Sequence, residues 1–176
     1  MEVLVQKYGG SSVADVEKIS IVAKKIALKI KNDTKLVVVV SAMGKSTDNL
    51  ISMAKQISKN LIPREMDMLL TTGEQVSASL LSIALNDIGI KSKSLNAFQL
   101  GILTNGDFNQ ARIINLKIDK LLTLLNENDA IIVQSTIDLA HNMGLSVTAE
   151  GVETYVSLQQ LKQKNSDLAD NHLLEL

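Results

Sequence analysis

An uninterrupted apolar run, LVVVV, occupies residues 36–40. It is far shorter than a membrane-spanning helix, and its β-branched valines are typical of a strand buried on both faces of a parallel sheet. The polar turn SAMGKST follows at residues 41–47, and a helical segment begins near residue 48 and ends near residue 58. Because a strand buried on both faces needs helices on either side, this segment predicts a layered α/β fold.

The same alternation of strands and helices continues along the chain. Its length of 176 residues suits one domain. We therefore predict a single α/β domain over residues 1–176, a three-layer sandwich with a mainly parallel sheet and a polar tail at 164–176. The predicted strands are 3–5, 36–40, 91–95, 130–133 and 145–149; the predicted helices are 13–31, 48–58, 65–86, 113–126, 135–143 and 154–163.

Composition excludes several classes of protein. Lys plus Arg total 18 and Asp plus Glu total 19, so no net field attracts nucleic acid or an anionic membrane. The absence of cysteine excludes disulfides and thiolate chemistry. His141 and His172 stand in no ligand pattern, so we predict no metal site. The N-terminus lacks the pattern of a signal peptide, and we expect a cytoplasmic protein without a nucleic-acid or membrane partner.

The segment KYGGSS at residues 7–12 separates a predicted strand from a predicted helix. Gly9 and Gly10 allow a ligand to approach the backbone, and Lys7 supplies a positive charge next to Ser11 and the helix N-terminus. These features suit phosphate binding, although a tight strand-to-helix connection without a ligand fits them equally well.

Gly44, Lys45 and Ser46 give the second turn a superficial likeness to a Walker A motif. That motif needs a glycine five positions before Gly44, where this chain has Val39, so the P-loop interpretation is excluded. Two interpretations remain: a ligand-binding loop at the carboxyl end of a strand, or a helix cap formed by Ser46 or Thr47.

The segment TTGE at residues 71–74 interrupts the apolar pattern of the long helix predicted at 65–86. Glycine inside a helix costs about 1 kcal/mol, and such departures from local preference are expected at functional sites. Glu74 could therefore bind a metal or a substrate ammonium group, or it could simply cap a helix.

Another acid, Glu150, ends the strand predicted at 145–149 within SVTAEGVET, residues 146–154. Glu150 and the nearby Glu153 could be catalytic, but we favour a role in capping the helix predicted at 154–163.

Three segments together resemble successive blocks of the aspartokinase family: VQKYGGSSVADVEKI, VVVVSAMGKSTDNLISMAK and REMDMLLTTGEQVSASLLSIAL. The resemblance extends over about residues 1–130. It implies an amino-acid kinase fold that uses ATP and Mg²⁺ to phosphorylate the side-chain carboxylate of L-aspartate. It assigns Lys7 and Glu74 to catalysis, Gly9, Gly10 and Ser11 to phosphate binding, and Ser41, Thr47 and Glu74 to substrate binding.

A different resemblance covers residues 131–163, where IVQSTIDLAHNMGLSVTAEGVETYVSLQQLKQ is similar to a late segment of EAL-type cyclic di-GMP phosphodiesterases. It matches Glu150 to an acidic active-site position at the end of a barrel strand. Together the two resemblances predict a chimera joined near residues 130–134, in which a helix-strand-helix segment extends the kinase-like part.

The chain lacks the glycine-rich loop, the essential aspartate and the adenine-binding region that aspartokinases carry later in their sequences. We therefore expect an incomplete phosphotransferase that is inactive alone. The main alternative is a folded, non-catalytic chimera with residual phosphate binding and no bound cofactor; a phosphodiesterase fragment is a more distant one. A homodimer is compatible with these features.

Overall fold

The computed structural model describes residues 2–30, 34–106, 108 and 111–134, and the backbone of 154–157. The strands are β1 (Glu2–Tyr8), β2 (Thr34–Val40), β3 (Ser92–Leu95), β4 (Ile102–Thr104), β5 (Ile113–Leu116), β6 (Ala130–Gln134) and β7 (Thr154–Ser157). The helices are α1 (Val16–Ala27), α2 (Ser46–Ile57), α3 (Pro63–Asp87), α4 (Ala97–Leu100) and α5 (Ile118–Glu127).

The main sheet has the strand order β3-β6-β2-β1-β7, and β4 pairs with β5 in a separate hairpin. Strands β3, β6, β2 and β1 are parallel, whereas β7 runs antiparallel to β1. This confirms the predicted α/β class and the mainly parallel sheet. Because the parallel strands share one direction, their carboxyl ends meet at the same edge.

Helices cover both faces of the sheet. On one face, Val37 and Val39 of β2 pack in a core that includes Leu121 and Leu125 of α5. On the other face, Leu36, Val38 and Val40 join a core that includes side chains of α1 and α3. The run at residues 36–40 is thus buried on both sides, as its composition predicts.

Two predicted helices are wrong over their first four residues. Helix α5 confirms most of the first one, and residues 158–163 of the second lie outside the described residues. Within 113–126, strand β5 occupies Ile113–Leu116 and α5 begins only at Ile118. Periodicity cannot distinguish a short apolar run in a strand from one in a helix, and here β5 pairs with β4. Within 154–163, Thr154–Ser157 is a strand, since threonine, tyrosine and valine favour extended backbone and the edge of β1 offers pairing. The predicted elements at 135–143 and 145–149 lie outside the described residues, as do Glu150, Glu153 and both histidines.

The helix predicted at 65–86 is confirmed, because α3 continues without a break through TTGE. The hydroxyls of Thr71 and Thr72 donate to the carbonyls of Met68 and Leu69, so both are satisfied within the helix. Gly73 is buried against the segment after β2: a Cβ there would lie 3.2 Å from the Cβ of Ala42. The glycine therefore permits close packing without ending the helix.

Among the described helices, α3 alone is long and apolar enough to cross a membrane by length and composition. A single helix of this kind is weak evidence, because core helices of soluble proteins meet the same criterion. Leu81 and Leu85 of α3 pack in the core that α1 and α3 form against one face of the sheet. The structure uses α3 as a core helix.

Candidate functional site

The loops that follow β1 and β2 are joined at the carboxyl edge of the sheet. The backbone N–H of Ser41 donates to the carbonyl of Tyr8 over 3.1 Å, and that of Gly44 donates to the carbonyl of Gly10 over 3.0 Å. Since Tyr8 pairs with Val40, both loops begin at the same height. The glycine turn and the segment 41–45 consequently form one continuous surface.

The two glycines of the turn have different surroundings. A Cβ at Gly10 would lie 2.7 Å from the carbonyl oxygen of Ala42, so only glycine fits there. A Cβ at Gly9 would have no neighbour within 4 Å. Gly10 therefore permits contact between the loops, while the space beside Gly9 leaves room for a ligand.

The N-terminus of α1 contributes less to this turn than the sequence suggests. The helix begins at Val16, and the carboxylate of Asp15 caps it by accepting from the N–H of Lys18 over 2.8 Å. An acid already occupies the end of the helix dipole. Any positive field at the turn must come from lysines and loop amides.

A cavity of ≈ 350 Å³ opens on the α1 side of the turn. Its polar lining includes Ser11, Ser12, Lys18 and Lys25, with no acidic residue. The Lys18 ammonium donates to the carbonyl of Ser11 over 3.2 Å, which ties the helix to the turn. The cavity is suited to an anion.

Helix α3 brings Ser77 and Glu74 to the same edge. The Ser77 hydroxyl, which is fully buried, lies 2.7 Å from the carbonyl oxygen of Ser41 and 3.0 Å from that of Glu74. This contact fixes α3 against the end of β2. Glu74 lies less than one turn before Ser77, and so beside the loop that begins at Ser41.

Glu74 and Lys7 interact electrostatically. Burial raises the pKa of the Glu74 carboxyl from 4.5 to about 7, against the positive charge of Lys7, which lowers it. The structure thus brings together the two residues that the resemblance assigns to catalysis, with Ser41 nearby. A carboxyl that titrates near neutral pH can change charge when a cation or an anion binds beside it.

Thr47 lies half-buried in the first turn of α2. The predicted cap by Ser46 or Thr47 is wrong: Lys45 is the N-cap residue and its side chain makes no capping bond. A capping role for Glu74 is also wrong, because Glu74 lies in the interior of α3. The described residues contain no group of three or more histidine or acidic side chains that could hold a metal.

Two residues near this edge, Ser77 and Gln134, were not identified as site residues from the sequence. Ser77 looks like an ordinary helical serine, and its contact with Ser41 spans 36 positions. Gln134 ends β6 as a polar residue with only 4% of its surface exposed. A polar residue directly after an apolar strand was the available signal for Gln134; nothing local indicated Ser77.

A parallel sheet with a lysine and a half-buried acid beside adjacent loops at its carboxyl edge is the arrangement in which α/β domains commonly bind small molecules. The chain belongs to the amino acid kinase family, whose sequence model matches residues 2–151. This match runs past the join predicted near residues 130–134.

Curated relatives specify an aspartokinase-like domain. The aspartokinase of Bacillus sp. (strain MGA3) is 50% identical over 133 residues, which cover 76% of this chain and 32% of the relative. Aspartokinase 2 of Bacillus subtilis (strain 168) is 42% identical over 151 residues, covering 86% of this chain and 37% of the relative. The chain thus spans about a third of the length of these relatives.

Solved structures of aspartokinases are also similar to this chain. Aspartate kinase from Synechocystis is 44% identical with a TM-score of 0.62, covering 77% of this chain and 22% of that one. E. coli aspartokinase III in complex with lysine and aspartate covers 96% of this chain and 46% of its own at a TM-score of 0.63. Its identity of 19% supports the fold alone.

Proposed function

We propose that this domain takes part in transferring the γ-phosphoryl group of ATP to the side-chain carboxylate of L-aspartate, which yields 4-phospho-L-aspartate. The observation that carries the proposal is the interaction of Lys7 with Glu74 beside the glycine turn. The aspartokinase relatives supply the substrate class, and E. coli aspartokinase III has been solved with aspartate and ADP.

The phosphate-binding residues are Gly9, Gly10 and Ser11, with Lys7 providing positive charge. The open space beside Gly9 and the Gly9–Gly10 pair suit the close approach of an anion to backbone amides. Phosphoryl transfer depends mainly on positioning and charge compensation, which Lys7 supports. Bound ATP and Mg²⁺ supply the phosphoryl group and further charge neutralisation; Mg²⁺ commonly relies on substrate phosphates and water for most of its ligands.

Aspartate binding is assigned to Ser41, Thr47 and Glu74. The Glu74 carboxyl is held partly neutral by burial. An ammonium group beside it would favour the ionised form and thereby form a charge pair. The contact of Ser77 with Ser41 holds this acid next to the loop.

Titration calorimetry with magnesium ATP, with and without aspartate, tests the proposal. Wild type is compared with Lys7→Ala and with Lys24→Ala, which removes an exposed lysine on α1. We expect Lys7→Ala to lose nucleotide binding and Lys24→Ala to retain it. Binding that is insensitive to Lys7 would refute the proposal, and ADP release measured alongside would report turnover.

A second candidate is a domain that binds phosphate without turnover. It is favoured by the cavity lined by Lys18 and Lys25, which is suited to an anion. Nucleotide binding without ADP release, even with aspartate present, would support this candidate over the first.

The resemblance of residues 131–163 to EAL-type phosphodiesterases remains a prediction, and so does the chimera. Within that segment, the structure describes only 131–134 and the backbone of 154–157. Incubation of the chain with cyclic di-GMP and divalent metal ions tests it. Hydrolysis would support a retained phosphodiesterase function; we expect none, because a single carboxylate such as Glu150 does not make a two-metal site.

A further inference from the structure

Gln134 occupies the last position of β6, directly opposite Val40 at the end of β2. Neighbouring strands lie about 4.8 Å apart, so Gln134 is close to Ser41, the residue that follows Val40. The glutamine therefore sits at the same edge of the sheet as the candidate site.

Its side chain points toward α3. Ala130 and Ile132 belong to the core that includes α1 and α3. Side chains alternate between the two faces of a strand, so Gln134 shares the face of Ile132.

Helix α3 runs opposite to the strands, and its N-terminal half approaches the carboxyl edge. At one end Ser82 lies 3.0 Å from Ser92 at the start of β3, and toward the other Ser77 contacts Ser41 at the end of β2. Glu74 lies still nearer the N-terminus of the helix. Gln134, Ser41 and Glu74 thus converge on one corner between β2, β6 and α3.

The amide oxygen of Gln134 is buried without a hydrogen-bond partner among the described residues. Burying an unpaired amide oxygen is unfavourable, and native proteins leave few such groups. Gln6 provides a contrast: it is also a buried glutamine, on β1, but its amide oxygen accepts from the hydroxyl of Tyr8 over 3.1 Å.

We propose that the amide oxygen of Gln134 accepts a hydrogen bond from the ammonium group of the amino acid substrate, at the corner formed by β2, β6 and α3. An acceptor cannot bind the oxygens of a phosphate or carboxylate, so it must face a donor-bearing part of the ligand. The ammonium group is the strongest donor that an amino acid offers, and Glu74 supplies the opposite charge nearby. Gln134 acts here in positioning and specificity.

This inference rests on the proposed function, and a comparison of L-aspartate with succinate tests it. Succinate has the same two carboxylates but no ammonium group. Calorimetry should show that wild type prefers aspartate, and that Gln134→Met reduces this preference about tenfold while succinate affinity stays unchanged. Methionine retains the volume of the side chain and removes the acceptor, so the midpoint of thermal unfolding should not fall.

Gln6→Met is the matched control: it should lower thermal stability, because Tyr8 loses its acceptor, and leave the preference for aspartate intact. Gln134→Glu retains an acceptor and should retain the preference. Gln134→Leu serves as a second apolar variant if the methionine variant does not fold.

Two outcomes would overturn the inference alone: an unchanged preference in folded Gln134→Met or Gln134→Leu, or an equal loss of affinity for both ligands. Failure of wild type to bind aspartate at all would instead overturn the proposed function, and this inference with it.

Discussion

Replacing Glu74 with glutamine should remove a pH dependence from the stability of this fold. Because burial raises the pKa of Glu74 from 4.5 to about 7, the folded protein holds this proton more tightly than the unfolded chain. The free energy of unfolding of wild type should therefore fall as pH rises from about 4.5 to about 7, and then level off. Glu74→Gln has no proton to lose at this position and should not show this component.

The size of the effect follows from the pKa values. Moving from 4.5 to about 7 corresponds to a ceiling of about 3 kcal/mol, at about 1.4 kcal/mol for each pH unit. Glu74 is half-buried rather than fully enclosed, so solvent screening reduces the effect. We expect Glu74→Gln to gain about 1–2 kcal/mol relative to wild type between about pH 5 and about pH 8.

Urea unfolding across that pH range measures the difference directly. Glu65→Gln is the control, because Glu65 lies on the same helix but is exposed. Glu65→Gln should not show the pH-dependent gain in stability expected of Glu74→Gln. If Glu74→Gln and wild type keep a constant difference from about pH 5 to about pH 8, the carboxyl is not desolvated in the folded protein and the reasoning is wrong.

Three further experiments test the packing. Gly10→Ala should destabilise the fold by about 1–3 kcal/mol in urea unfolding, because its Cβ would meet the backbone of the loop after β2. Gly9→Ala should change stability by less than about 0.5 kcal/mol, because a Cβ there has no close neighbour. Equal effects of the two substitutions would contradict the contact between the loops. Ser77→Ala should cost about 1 kcal/mol and weaken aspartate binding in calorimetry, and unaltered binding would argue against a role in positioning the loop. Leu125→Ala should cost about 2–5 kcal/mol in thermal unfolding, since the side chain is fully buried; a much smaller loss would mean that α5 does not seal its face of the sheet.

The central strands were predictable because their apolar runs are continuous. Residues 36–40 and 130–133 carry enough β-branched side chains to identify strands without knowledge of their neighbours. The errors occurred where the partner decides the outcome. Residues 113–116 become a strand by pairing with β4, and 154–157 by pairing with β1. The helix predicted at 65–86 was correct through Thr71 and Thr72, whose hydroxyls donate to carbonyls of the same helix.

The residues of the candidate site also fall into two groups: those that a local sequence pattern identifies, and those that become evident only in the folded structure. Lys7, Gly9 and Gly10 lie within four residues of one another and show a recognisable local pattern, and Glu74 stood out within TTGE before the family resemblance assigned it a role. The interaction of Lys7 with Glu74 requires α3 to lie over the strand ends, which no local pattern contains. Ser77 and Gln134 become notable only when β2, β6 and α3 are assembled.

The close packing at Gly73 joins α3 to α2 and to the segment that follows β2. A Cβ at this position would lie 3.2 Å from Ala42 and 3.4 Å from Leu50 of α2. None of the residues of α2 is itself fully buried, so this helix is held by contacts on one side. The absence of a side chain at position 73 therefore allows α2, which carries Thr47, to pack close to α3, which carries Glu74. A larger side chain at position 73 would contact Ala42 and Leu50 too closely and would force α2 away from α3.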